Sequence, residues 1–336
     1  MTGIDEVARE AGVSTATVSR ALRGLPNVSD RTRTSVRAAA QKLGYVASSS
    51  ASGLASGRTM AMGVVVPSLS LWFYATVIEG VDSVLRAASY DLILFNLGGR
   101  GADRERVFHR SILRKRTDAL IALCIDFTAD ERHQLASTGH PTIVVGGAVR
   151  GLRHIDIDEC GVAKQATEYL IALGHKKIAH LVGSWQMGLT RQVPVQRRKG
   201  YEQALAQANI PLRPDWVITG HFNMASARRA MTDLLGRPGE HPTAVFADSD
   251  EMAMGAILAA HDAGLRVPQD ISVIGIDDHE LAESFGLTTM AQNPFEQGAL
   301  AARMLLDELH GTSMRRRSVR YPVTLAERAS TAPPPQ

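Results

Sequence analysis

The sequence predicts an α/β protein: a small N-terminal head of three helices followed by two doubly wound α/β lobes. Three observations predict it. The first 45 residues carry apolar side chains at helical spacing, punctuated by Gly12, Gly24 and Gly44. From Met60 onward, short apolar runs alternate with amphipathic stretches, the pattern of parallel strands with helical crossovers. That body, about 270 residues, exceeds one comfortable doubly wound sheet, so two lobes are expected.

The chain has 336 residues, 45% hydrophobic and 21% charged, which allows a sizeable core and argues against wholesale disorder. No apolar run approaches the roughly 18 residues a membrane span needs, so no membrane association is expected. Met1 to Glu10 has no apolar core and carries Asp5, Glu6 and Glu10, so no secretory leader is expected. Cys124 and Cys160 alone make no disulfide framework, and a cytoplasmic location follows as the expectation. Charge is uneven: residues 1–58 hold eight basic and four acidic side chains, whereas the remainder is nearly neutral. A basic module on a neutral body suits a reader of polyanions.

In the head, Ile4, Val7, Ala8 and Ala11 form one apolar stripe. Gly3 with Glu6 reads as a weak capping box and Gly12 as the stop. Ser14 caps a second helix, about Thr15 to Leu22, with Val18, Ala21 and Leu22 inward. Gly24, Pro26 and Asn27 break it. Ser29 caps a third helix carrying Val36, Ala39, Ala40 and Leu43, closed by Gly44. Two helices across a glycine-containing turn form a helix-turn-helix. Thr15, Ala16, Thr17, Ser19 and Arg20 lie early on the second helix, where hydroxyls and N–H groups can meet phosphate. Arg20 could reach a guanine edge with its two-pronged fork. The same pattern also suits a small bundle whose polar face meets only water. Residues 47–59 follow with the serine and glycine content of a linker, Leu54 being its one large apolar side chain.

In the body, seven runs read as strands: 64–66, 92–95, 120–123, 143–145, 178–182, 244–247 and 273–276. Ligands of doubly wound sheets bind beyond the carboxyl ends of the strands. That rule selects Pro67 to Tyr74, Asn96, Asp126, Ser184-Trp185, His221-Phe222, Asp248-Ser249-Asp250 and Asp277-Asp278. The chain has only 17 aromatic residues, yet five fall at these ends, and aromatic faces beside carboxylates suit a flat or sugar-like ligand. Each acid taken alone is as readily a cap or turn residue.

Signals for chemistry are poor. Gly98-Gly99-Arg100-Gly101 lacks the full dinucleotide pattern, and no phosphate-loop Gly-Lys-Ser/Thr occurs. The eleven histidines show no metal spacing. Cys124 ends an apolar strand and reads as core, and His175 as a structural helix-end residue. No catalytic residue, metal or cofactor is expected.

The ordered blocks carry a resemblance. Ile4-Asp5-Glu6-Val7-Ala8 and Ala11 through Leu22, continued by Val28-Ser29, Thr32-Arg33 and Leu43-Gly44-Tyr45, resemble the head of the lactose-repressor (LacI) family. In the body, Gly63 to Pro67, Leu173 to Ala179, Arg197 with Gly200-Tyr201, Asp250 with Met252 to Gly255, Asp270 to Asp278, and Leu287-Thr288-Thr289 with Gln292 resemble family blocks. The resemblance covers nearly the whole chain.

It implies a homodimeric transcription repressor that reads a near-palindromic operator in double-stranded DNA. Its body would be of the periplasmic-binding-protein type and hold a small effector between two lobes. The implied division is 1–46 head, 47–59 hinge, and 60–336 body, with lobe one about 60–158 and 290–320 and lobe two about 159–289 and 321–330. Thr15, Ala16 and Arg20 then occupy base-reading positions. Ser14, Thr17, Ser19, Asn27, Ser29 and Thr32 occupy phosphate-contacting ones. Leu54 falls on the hinge leucine that opens the minor groove. Phe73, Tyr74, Arg197, Phe222, Ser249 and Asp277 fall on effector-pocket positions, with Arg197 donating, Asp277 accepting and Phe222 stacking. A sugar is the family's most frequent ligand. The alternative is an effector-binding protein or activator of the same fold that responds to a purine or other metabolite.

Three departures stand out. Ala47 and Ser48 replace an expected Pro-Asn, and Ser52-Gly53 precede Leu54, which opposes hinge-helix formation by roughly 0.5–1 kcal/mol per residue. Ser249 stands where asparagine is frequent, and Arg23 where asparagine is common. The closing Pro333-Pro334-Pro335 has no heptads, so no tetramerising helix is expected.

Overall fold

A computed structural model describes residues 3–22, 26–45, 58–98, 101–108, 116–184, 192–312 and 318–335. The chain divides into two compact units, one of residues 1–61 with 115–117 and one of the remainder.

The first unit is the head. Helices α1 (Ile4–Ala11), α2 (Thr15–Leu22) and α3 (Asp30–Lys42) enclose Val7, Ala8, Val18, Ala21, Val36, Ala39 and Ala40. Capping follows the sequence. The Gly3 N–H donates to Glu6 Oε2 at 3.1 Å, and Gly12 ends α1 with φ +66°, where a side chain would be strained. Ser14 Oγ accepts from the Thr17 N–H at 3.2 Å, and Ser29 Oγ from the Thr32 N–H at 3.2 Å. Arg23, Gly24 and linker residues 47–57, Leu54 among them, lie outside the described residues.

The second unit holds two six-stranded sheets. Its elements are β1 (Ala61–Val66), α4 (Trp72–Ala87), β2 (Asp91–Asn96), α5 (Gly101–Phe108), β3 (Ala119–Leu123), α6 (Ala129–Thr138), β4 (Thr142–Val145) and β5 (Arg153–Asp156). Then come α7 (Glu159–Ala172), β6 (Ile178–Val182), α8 (Gln192–Gln207), β7 (Val217–Thr219), α9 (Met224–Leu235), β8 (Ala244–Ala247) and α10 (Asp250–Asp262). The chain closes with β9 (Ser272–Asp277), β10 (Thr288–Ala291), α11 (Pro294–Leu309), β11 (Ser318–Arg320) and β12 (Thr324–Ala326). One sheet runs β11-β5-β4-β3-β1-β2 and the other β12-β10-β9-β8-β6-β7. The chain therefore crosses between sheets after β5, after β10 and after β11. β12 pairs antiparallel to β10, a largely exposed closing strand on an otherwise parallel edge.

All seven apolar runs lie in strands. β5, β7, β10, β11 and β12 were not among them. They are three or four residues long, and their polar or half-exposed positions (Arg153, His154, Thr219, Ser318, Arg320, Thr324) break the apolar run. Helix α11 returns from the second sheet to pack on α4 through glycines: a Cβ on Gly298 would meet the Val77 carbonyl, and one on Gly80 the Phe295 carbonyl. His175 is structural, as its sequence position suggested. It is buried at the end of α7 and tied to Thr243 Oγ1 at 2.9 Å and to the Ala332 carbonyl at 2.8 Å. That bond anchors the C-terminal segment to the second lobe. Among the described residues, no helix is long and apolar enough to cross a membrane, and no His/Cys/Asp/Glu group is placed to hold a metal.

Candidate functional site

The head presents the N-terminal half of α2. Val18 and Ala21 anchor the helix inward, which turns Thr15, Ala16 and Arg20 outward into full exposure. Thr17 and Ser19 are half-buried along its flanks. The Ser14 and Thr17 hydroxyls pair at 2.9 Å, and those of Ser29 and Thr32 at 2.8 Å. Two helix N-termini thus display hydroxyls and first-turn N–H groups, chemistry suited to phosphate. Asn27 takes a left-handed φ of +66° in the turn, and Arg20 donates to the Pro26 carbonyl at 3.1 Å. Arg20 is held at the turn by that bond and remains exposed.

The body carries a cavity lined from both sheets. Phe73, Tyr74, Arg197, Phe222, Ser249 and Asp277 all line it, though they lie on five separate stretches of the second unit. About 60 Å³ of it is open to the centre of a water molecule. Its walls also include Cys124, Glu159, Glu251, Gln292 and Gln297, which the strand-end rule did not select. Of the strand-end residues it did select, Asp248 and Asp250 lie buried beneath the cavity floor. Asn96, Asp126, Ser184 and His221 do not line the cavity. The Trp72 ring lies 4.4 Å from that of His279, tilted by 32°, across from one sheet to the other. Trp185 lies outside the described residues.

Local structure aims these groups. Phe73 and Tyr74 open α4, directly after β1. Ser249 caps α10, accepting from the Met252 N–H at 3.3 Å, so one lone pair of its hydroxyl is already engaged. Cys124, Phe222 and Asp277 each have positive φ, at +47°, +50° and +136°. Strained backbone at non-glycine residues gathers where side chains must be aimed rather than merely packed.

The electrostatics are those of a buried, mostly acidic pocket. Arg197 is buried and donates through Nε to Glu159 Oε2 at 2.7 Å, and through Nη1 to the Asp248 carbonyl. Burial works against the guanidinium's charge, but Glu159, Asp248 and Asp277 outweigh it and hold Arg197 above the usual range. Burial raises the Glu159 carboxyl against the pull of Arg197. Burial, with Asp250 nearby, pushes Asp277 well above the carboxylate range, although Gln292 Nε2 donates to it. Glu251 is pushed up to about 7 by burial, offset in part by the Trp72 N–H that it accepts. Burial also pushes the Cys124 thiol up to about 12, which leaves it inert as a nucleophile. Beneath the floor, His180 Nε2 and Asp248 Oδ1 lie 2.8 Å apart, with the imidazole stacked on Phe246 at 4.9 Å. Asp248 also accepts from the Gly183 N–H at 2.8 Å, so this pair fixes the loop whose carbonyl receives Arg197.

A helix-turn-helix head and a body of two parallel-sheet lobes on one chain define the architecture of a DNA-binding regulator. Residues 3–48 match the model of bacterial regulatory proteins of the lacI family, and residues 167–331 that of a periplasmic binding protein-like domain. The HTH-type transcriptional repressor PurR of Serratia proteamaculans (strain 568) is 35% identical over 341 residues, covering 100% of this chain and 98% of its own. The transcriptional regulator CelR in complex with cellobiose is 30% identical, with a TM-score of 0.71 over 98% of this chain and 100% of its own. The lac repressor dimer bound to operator and the anti-inducer ONPF is 26% identical, with a TM-score of 0.85 over 98% of this chain and 99% of its own. The chain belongs to the LacI family: it is a DNA-binding transcriptional repressor, and its relatives are regulators rather than enzymes.

Proposed function

We propose that this repressor grips a near-palindromic operator as a homodimer, and that a sugar bound in the cavity sets its operator affinity. In this reading residues 1–46 are the head, 47–59 the hinge and 60–336 the body. Thr15, Ala16 and Arg20 read base edges. Ser14, Thr17, Ser19, Asn27, Ser29 and Thr32 hold phosphates, and Leu54 enters the minor groove.

The observation that supports the effector half is the convergence of Phe73, Tyr74, Arg197, Phe222, Ser249 and Asp277 on one cavity. Rings supply faces for C–H groups, and the carboxyl and amide groups supply acceptors for hydroxyls. The walls of the cavity belong to different sheets, so a ligand held between them touches both lobes. A ligand that favours one lobe arrangement over another shifts that equilibrium by its differential affinity, and so couples to the head.

The test is operator binding by fluorescence anisotropy, using palindromic duplexes from the gene's own upstream region with and without a monosaccharide panel. The expected outcome is duplex binding that weakens steeply with salt and shifts several-fold with one sugar. Salt-independent binding, or none, would refute the DNA half. Affinity indifferent to every sugar but altered by a purine would refute the sugar.

A further inference from the structure

Arg197 is the one cation lining the cavity among the described residues, and it faces three carboxyl groups, Glu159, Glu251 and Asp277. A guanidinium free to present its fork is a ready receptor for phosphate or carboxylate. Here two of its nitrogens are engaged within the protein, Nε by Glu159 and Nη1 by the Asp248 carbonyl. Glu159 opens α7, whose first turn is fixed by Asp158 Oδ1 accepting from the Gly161 N–H at 3.0 Å. Helix α8 lies against that turn so closely that a Cβ on Gly200 would strike the Cys160 carbonyl. Arg197, one turn before Gly200, is thereby brought onto Glu159, and the 2.7 Å ion pair is almost sealed from water, with side-chain exposures of 4% and 15%.

We propose that Glu159 is the specificity-determining residue of the cavity. By holding the Arg197 guanidinium in an ion pair it denies that cation to anions, so the site takes uncharged, donor-rich molecules and rejects phosphate esters and carboxylates. The inference rests on reading the cavity as the effector site. An anion that entered would find the one cation that lines the cavity among the described residues already paired with Glu159, and would have to compete with that buried carboxylate for it. Glu159 thus sets which charge class of ligand is admitted, while the aromatic walls and Asp277 supply the contacts for those that are.

The test is titration of the full-length protein with inorganic phosphate at constant ionic strength, without DNA, read by calorimetry and by melting temperature. Wild type is expected to show no Arg197-dependent binding. Glu159→Gln is expected to bind phosphate at least about tenfold more tightly than wild type, and the added change Arg197→Gln to abolish the gain. A folded Glu159→Gln protein with no gain overturns the proposal. So does wild-type phosphate binding that Arg197→Gln removes. Glu159→Ala stands in should the glutamine variant fail to fold, and the wild-type arm decides without either. Failure of the effector reading itself would appear elsewhere, as operator affinity indifferent to sugars, which this titration does not touch.

Discussion

Replacing Arg197 with methionine keeps much of the side-chain volume and removes the charge that Glu159 and Asp277 share. Arg197 and Glu159 are 4% and 15% exposed, so their pairing is little screened. Breaking a buried pair from one side costs about 3–5 kcal/mol. A carboxyl group can avoid part of that cost by taking up a proton, which costs ~1.4 kcal/mol per pH unit above its own pKa. Burial already raises both carboxyls, and Arg197 is what holds each of them down. Without it they rise further. The folded variant then keeps protons that the unfolded chain has released, so its stability falls as pH climbs above the ordinary carboxylate range. The deficit relative to wild type therefore opens as pH climbs through the raised wild-type values and widens by up to ~1.4 kcal/mol per unit for each carboxyl until ~3–5 kcal/mol is reached. At ~2–4 °C per kcal/mol, the two melting temperatures then stand roughly 10 °C apart. Circular-dichroism melts of both proteins across that pH range measure the gap. Parallel curves, with a gap independent of pH, would refute the reasoning. Changing Glu159 to methionine as well should restore most of the loss, since a well-packed apolar pair is close to neutral in place of a buried ion pair.

Three further outcomes are expected. Ser29→Ala removes the cap of α3 and should cost about 1 kcal/mol. The head's transition would then fall by roughly 4–8 °C, with faster amide exchange in the first turn of α3 and an unchanged body transition. Gly298→Ala would set a methyl on the Val77 carbonyl and force α11 off α4, lowering the body's transition while α1 to α3 exchange as before. Glu251→Gln concerns the carboxyl that accepts the Trp72 N–H across the lobes and that burial pushes up to about 7. Because its folded value is raised, Glu251 makes wild type lose stability as pH rises from the ordinary glutamate range to about 7. The amide should flatten that stretch of the melting profile, and an unaltered slope would count against the assignment.

The head was legible because its determinants are local. Ser14 and Ser29 cap within three residues of themselves, Gly12 stops α1 on its own φ, and the apolar stripe closes on helices 8 to 13 residues long. The seven inner strands were legible for a different reason: packing on both faces leaves an apolar run that nothing polar interrupts. β5 fails that criterion. Arg153 and His154 are half-buried, and Arg153 is spent on an ion pair with Glu308. Missing β5 hid its carboxyl end, and with it Glu159, the first residue of the helix that follows. Glu251, Gln292 and Gln297 were hidden otherwise. They lie within or beside helices whose periodicity is apolar, and only the meeting of two sheets makes them neighbours of Asp277.

The pocket's chemistry accordingly splits into two parts of unequal legibility. Where the cavity lies follows from topology, because ligands of parallel sheets sit beyond the carboxyl ends of the strands, and that rule found Phe73, Tyr74, Phe222, Ser249 and Asp277. Which charges are free within it does not follow. Arg197 looks like a donor awaiting a ligand until the packing of α7 on α8 supplies Glu159 at 2.7 Å, and Ser249 looks like a ligand hydroxyl until it is found capping α10. Aromatic walls survive such contacts with their faces intact, whereas a hydrogen-bonding group gives up part of its capacity to each partner it meets. Residue type therefore foretells the shape and apolar lining of a site of this kind better than its polarity. The polarity is set by pairings made over the 38 residues that separate Glu159 from Arg197, at a distance no local pattern records.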